Sequence, residues 1–203
     1  MTELRKRPRQ KRSEAMVDAI LEAAARILED EGLDRLNTNT TAAKAGVSVG
    51  SLYQYFPSKD AILAELIRRD HLALLAELTL AAQKLAGGTL EQAVRALVRV
   101  GVERQLARPA LARALDFAEA GLGMDDETNA TLRAIEAVAI RVLGVHLPRL
   151  SRGAIHLAAA DIGALAKGMI DAAGQRGETN SAALTARVTR AALGYLTPPP
   201  ATR

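Results

Sequence analysis

After Ser13, a residue suited to cap a helix, apolar side chains recur at Met16, Ala19, Ile20, Ala23, Ala24, Ile27 and Leu28, with Glu, Asp and Arg opposite. This i, i+3, i+4, i+7 spacing predicts an amphipathic helix, which Gly32 ends. Asn37 can cap a short helix that stops at Gly46, and Ser48 a second one running to Phe56. Pro57 stops that helix. Ser58 then opens a long one, with Asp60 in the first turn, where a carboxylate suits the positive end of the dipole. Ile62, Leu63, Leu66, Ile67, Leu74, Leu75 and Leu78 carry it to Gly87 and Gly88. Thr89 and Gln92 form a capping box for a helix bearing Val94, Leu97, Val98 and Val102. Pro109 and the pair Gly121 and Gly123 bracket a shorter helix. Three more follow, over 127–147, 152–174 and 181–196. No segment sustains strand alternation, so the fold class is all-α, with about nine helices.

Composition agrees. Aromatic residues are 2% of the chain and hydrophobic ones 49%, so the apolar half is mostly Ala, Leu, Val and Ile. That mixture favours helices over strands. There is no cysteine, which removes disulfides, thiolate metal sites and thiol nucleophiles. His71, His146 and His156 stand far apart, with no metal-binding spacing. No Gly-rich phosphate loop or nucleophile elbow occurs, and Asp125, Asp126 and Glu127 look like a helix start. An enzyme is not expected, nor is a cofactor. The most apolar stretch, 154–166, is broken by His156 and Asp161, so no membrane span and a cytoplasmic location are expected.

Charge changes the picture only at one end. Residues 1–12 carry Arg5, Lys6, Arg7, Arg9, Lys11 and Arg12 against Glu3 alone, while the whole chain is +4. The excess therefore sits in an arm. It is either a solvated tail or a segment that meets nucleic-acid phosphates.

The arm precedes NTNTTAAKAGVSVGSLYQYF, residues 37–56. Two short helices around a Gly-Val-Ser corner form the helix-turn-helix pattern. Gly46 lets the chain leave the first helix with positive φ, and Ser48 satisfies free N–H groups of the second. Ala42 and Ala45 let the helices approach. Leu52 and Phe56 give the second helix a buried edge, leaving Val49, Gly50, Ser51, Tyr53, Gln54 and Tyr55 more exposed. The segment has no acidic side chain and is rich in hydroxyls and amides, groups that bond phosphates and base edges.

The run AGVSVGSLYQYFPSKDAIL, residues 45–63, resembles the signature of the TetR family of bacterial transcriptional regulators. The resemblance covers about residues 13–70. It implies that Thr38 and Asn39 touch backbone phosphate, that Val49, Gly50 and Ser51 face base edges beside the Ser48 corner, and that Tyr53 and Tyr55 give hydroxyls to phosphates. Gln54 would read a base, adenine being its geometric match. Lys59 would hold a phosphate at the start of the long helix. Thr41 departs from the family, which places Ile or Leu there, and Val49 and Gly50 offer no side-chain hydrogen bond.

The division implied is a basic arm over 1–12, a DNA-binding domain over 13–60, an effector-binding and dimerisation domain over 61–196, and a tail over 197–203. The expected function is a repressor that binds a palindromic operator on double-stranded DNA as a homodimer, under control of a small-molecule effector. The alternative is a helical ligand- or partner-binding protein whose reading head is idle. Two stripes are candidates for the dimer interface: Ile155, Ala159, Ile162, Ala166 and Met169, then Leu184, Val188, Ala191 and Tyr195. Both could instead pack on their own subunit's core. Arg104, Asp116, Phe117 and His146 are candidate effector contacts, and the effector is expected to be mostly aliphatic.

Overall fold

A computed structural model describes residues 11–85, 87–123 and 125–196. The arm up to residue 10 and the tail over 197–203 lie outside the described residues. Within them are nine α-helices: α1 (Lys11–Asp30), α2 (Thr38–Ala45), α3 (Val49–Tyr53), α4 (Lys59–Lys84), α5 (Leu90–Ala107), α6 (Pro109–Gly121), α7 (Asp126–His146), α8 (Arg152–Gln175) and α9 (Ser181–Leu196). A short 3-10 turn, Leu33–Arg35, joins α1 to α2. The described residues contain no strand.

Local chemistry sets most of the ends. Gly32 takes φ 82° after α1 and Gly46 takes φ 68° after α2. Asn37 Oδ1 accepts the N–H groups of Asn39 and Thr40, while Thr40 Oγ1 accepts the Asn37 N–H, closing a capping box. Ser48, Thr89 and Ser151 cap α3, α5 and α8. Ser58 Oγ accepts the Ala61 N–H at the start of α4. Ser13, expected as a cap, lies inside α1, because the helix already runs from Lys11.

The chain divides into two compact units: residues 1–71 with 110–129, and residues 72–109 with 130–203. In the first, Val17, Ile20, Leu21, Ala24, Ile27 and Leu28 of α1 close around Leu36, Leu52, Phe56, Ile62 and Ile67. Leu111, Leu115 and Ala118 of α6 join the same core, so α6 packs with the N-terminal head, whereas the linear division assigned it to the second domain. Ala19 of the expected stripe is exposed, and Val17 and Leu21 are buried instead, a rotation of the inward face.

In the second unit Val94, Val98 and Val102 of α5 pack with Ile170 and Ala173 of α8 and with Leu184, Val188 and Ala192 of α9. Contact is close: a Cβ built at Gly101 would lie 3.2 Å from Ile170 Cδ1. A smaller cluster joins Leu143 of α7 to Ala158 and Ala159. These contacts correct the proposed dimer stripes. Leu184, Val188 and Ala159 are buried in their own subunit, and Ile155, Ile162, Ala166 and Met169 pack against the same clusters. Ala191 is half-buried and Tyr195 exposed. The uncovered face of α8 is the opposite one, Gly153, Leu157, Ala160, Ala164 and Gly168.

By length and composition α8 is apolar enough to cross a membrane, which the interrupted run 154–166 did not suggest. Its alanines raise the mean hydropathy. It also carries Asp161, Lys167 and Asp171, and one face packs through Ile170 and Ala173 on α5 and α9.

Candidate nucleic-acid interface

The α2–α3 corner is built from small residues outward. Ala42 is fully buried, which lets the helices meet, and the Val47 N–H donates to the Ala42 carbonyl at 3.0 Å. Thr41, where a larger apolar side chain was expected, is also fully buried. Its hydroxyl donates to the Asn37 carbonyl at 2.7 Å, so the polar atom is satisfied in the core. Leu52 and Phe56 anchor α3 in the head.

Tyr55 is a correction. It is 7% exposed and its side chain belongs to the head core, rather than standing exposed as the spacing was expected to leave it. Leu52, Tyr55 and Phe56 stand at i, i+3 and i+4 and share one face. The helix ends at Tyr53, and the Tyr55 and Phe56 N–H groups fold back onto the Leu52 carbonyl at 3.0 and 2.9 Å.

The other face is free of core contacts. Val49, Gly50, Tyr53 and Gln54 are exposed, and Ser51 is half-buried. Ser48 Oγ accepts the Ser51 N–H at 3.0 Å and lies 2.8 Å from Ser51 Oγ. Tyr53 Oη lies 3.1 Å from Thr38 Oγ1, tying α3 to the first turn of α2. Asn39 is exposed beside Thr38, and Lys59 is exposed at the start of α4.

The field favours anions. No acidic side chain occurs from Leu36 to Lys59. Lys44 is held at 3.0 Å by Asp30 and 3.7 Å by Glu31, so its charge is largely answered within the head. Lys59 is exposed and makes no ion pair among the described residues. A short outward helix, flanked by hydroxyls, an amide and a cation, can enter a major groove about 12 Å wide and bond its rim phosphates.

Two family profiles match the chain: bacterial regulatory proteins, tetR family, over residues 20–66, and the tetracyclin repressor-like C-terminal domain over 89–196. The chain belongs to the tetR family. That family is one of bacterial regulatory proteins rather than of enzymes. It is 35% identical over 105 residues to the HTH-type transcriptional repressor KstR of Mycolicibacterium smegmatis, covering 50% of each chain. It is 35% identical over 86 residues to the nucleoid occlusion factor SlmA of Glaesserella parasuis, 42% of this chain and 41% of that one. The chain thus spans about half the length, or less, of the curated relatives it matches. In fold it is similar to the transcriptional regulator FadR of Bacillus subtilis in complex with stearoyl-CoA, with a TM-score of 0.74, 16% identity, and 89% and 99% of the two chains covered.

The effector candidates of this tetR-family regulator are divided between the two units. Arg104 and His146 belong to the second unit, Asp116 and Phe117 to the first. Arg104 is paired with Glu77 at 2.7 Å. His146 places Nδ1 2.8 Å from the Val142 carbonyl and Nε2 3.1 Å from the Gly88 carbonyl, a structural bridge between α7 and the turn before α5. Phe117 is 74% exposed on α6 and lines no interior of its unit, because the inward positions of that helix are Leu111, Leu115 and Ala118. Asp116 is half-buried.

Several buried polar residues escaped the pattern. In the second unit these are Gln105, Thr131, Thr185 and Thr189; among the described residues Gln105 Nε2 and Thr189 Oγ1 have no hydrogen-bond partner. Gln105 lies three residues beyond Val102 on the buried stripe of α5, which was its only signal. In the head, Glu65 is buried on α4. Arg68 grips it with two bonds of 2.7 Å and Arg69 with one of 2.9 Å, and Arg69 reaches Asp18 of α1 at 2.5 Å. Burial opposes ionisation of Glu65, but the two guanidinium groups outweigh it and hold its pKa below the ordinary value.

Proposed function

We propose that the chain is a cytoplasmic repressor that binds a palindromic operator as a homodimer and is controlled by a small-molecule effector. The observation that carries this is the outward face of α3: Val49, Gly50, Tyr53 and Gln54 are uncovered while Leu52 and Phe56 hold the helix on the head. Thr38, Asn39, Tyr53 and Lys59 bind phosphate, Ser48 and Ser51 set the corner, and Gln54 reads adenine.

A helix of five residues is too small a contact for specific binding, so two copies are required. The uncovered α8 face supports this. Leu157 is 62% exposed, and Gly153, Ala160, Ala164 and Gly168 leave room for a second helix at close range. The dimer joins through this face together with Tyr195 of α9, rather than through the stripes buried in each subunit.

The effector binds in the second unit, whose buried surface is aliphatic apart from a few polar atoms such as Gln105 Nε2 and Thr189 Oγ1. An effector that is mostly aliphatic, with few hydrogen-bonding groups, suits it, and the stearoyl-CoA complex of FadR is consistent with that class. Helix α4, 26 residues and about 39 Å long, belongs to the head through His71 and to the second unit beyond. It acts as the lever by which effector binding shifts the population of reading-head spacings.

Sequence selection from random duplex DNA tests this. The expected result is an inverted repeat with half-site centres about 34–36 Å apart, or a multiple of that, bound by two chains. Uniform protection, or no binding by the dimer, contradicts it.

A further inference from the structure

The outward groups of α3 differ in what they have left to offer. The Ser48 and Ser51 hydroxyls are 2.8 Å apart and engaged with each other, and Ser48 also caps the Ser51 N–H. The Tyr53 hydroxyl is engaged with Thr38. Val49 is the reverse case: an apolar side chain, 37% exposed, that packs against no core cluster.

Gly50 beside it has no reason within the fold. Its φ is not in the left-handed region, and a Cβ there would meet nothing nearer than Ser48 Oγ at 3.9 Å. Glycine weakens a helix relative to alanine, so its presence costs stability that the head does not recover. An exposed valine and a bare neighbour together form a small, shallow apolar surface that can come very close to whatever it meets. In the major groove the apolar group on a base edge is the thymine C5-methyl.

We propose that Val49 and Gly50 form a methyl-reading surface: Gly50 lets the first turn of α3 close onto the base edges, and Val49 packs on the C5-methyl of one thymine in each operator half-site. This rests on α3 being the recognition helix and adds what it recognises. Apolar contact, rather than hydroxyl bonding, then sets the base preference at that position, with Gln54 fixing a second one.

The test uses the full chain and the operator obtained by selection. Each thymine of a half-site is replaced in turn by deoxyuridine, which removes only the methyl. One position should lose about fourfold in affinity per half-site, the value of one buried methyl group. Val49→Ala should bind thymine and deoxyuridine alike at that position, and Gly50→Ala should lose operator affinity with an unchanged or higher melting temperature. Selective operator binding that is indifferent to deoxyuridine at every position, or a penalty that persists in Val49→Ala, overturns the inference and leaves the regulator intact. A chain that selects no sequence overturns the recognition helix itself, and the inference with it.

Discussion

The two units bury apolar surface by different means. In the head, Ile20, Ile27, Leu36, Leu52, Phe56, Ile62 and Ile67 are almost wholly enclosed by side chains of the same unit, drawn from α1, α2, α3, α4 and α6. In the second unit the enclosed side chains are smaller, chiefly valine and alanine around Leu184, while α8 leaves Leu157 and a row of glycine and alanine uncovered. A head that satisfies itself can spend its outer face on a ligand. A unit that leaves its most apolar helix uncovered keeps a face open for the second copy proposed above.

The largest effect should come from emptying the self-sufficient core. Phe56→Ala should cost the head about 3–5 kcal/mol, read by denaturant unfolding, and abolish operator binding. A cost below about 1 kcal/mol would mean that the head is not held by this core. The second unit should break at its uncovered face instead. Leu157→Glu should leave each chain folded and shift it to monomer at micromolar concentration in sedimentation, because it removes an exposed leucine from the proposed interface and inserts a charge there twice. An unchanged dimer would move the interface elsewhere.

Glu65 gives a smaller, pH-dependent effect within the head. Its carboxyl titrates lower in the folded chain than its ordinary value of 4.5. The stability it supplies is therefore present above that value and is lost as pH falls through the lowered folded one. Glu65→Gln should cost about 1–3 kcal/mol at neutral pH and remove that part of the acid dependence. Equal acid sensitivity of the two proteins would assign the loss to other carboxylates. The smallest effect concerns the surface cation. Lys59→Ala should reduce the salt dependence of binding by about one counterion per half-site, with sequence preference kept.

The head was more legible than the second unit for a physical reason. Asn37, Gly46, Ser48 and Thr89 act on backbone groups within a few residues, so their roles follow from local sequence. Tyr55 was misplaced although its position followed from the spacing of Leu52 and Phe56, because tyrosine has a polar tip that suggests exposure. In α8 the inward Ile155, Ala159, Ile162, Ala166 and the outward Leu157, Ala160, Ala164 are both apolar, so periodicity carries no direction. The helix was legible and its facing was not. Gln105 and Thr189 gain their meaning only from neighbours on other helices.

The most direct measurement is the operator affinity of the double variant Tyr53→Ala, Gln54→Ala, with its melting curve and sedimentation recorded alongside. Both side chains are exposed, so folding and self-association should match the parent, while sequence-specific binding falls at least about 100-fold, since a bidentate base contact and an aromatic rim contact are lost from each half-site. Undiminished specific binding by a folded double variant would show that the outward face of α3 does not enter the duplex.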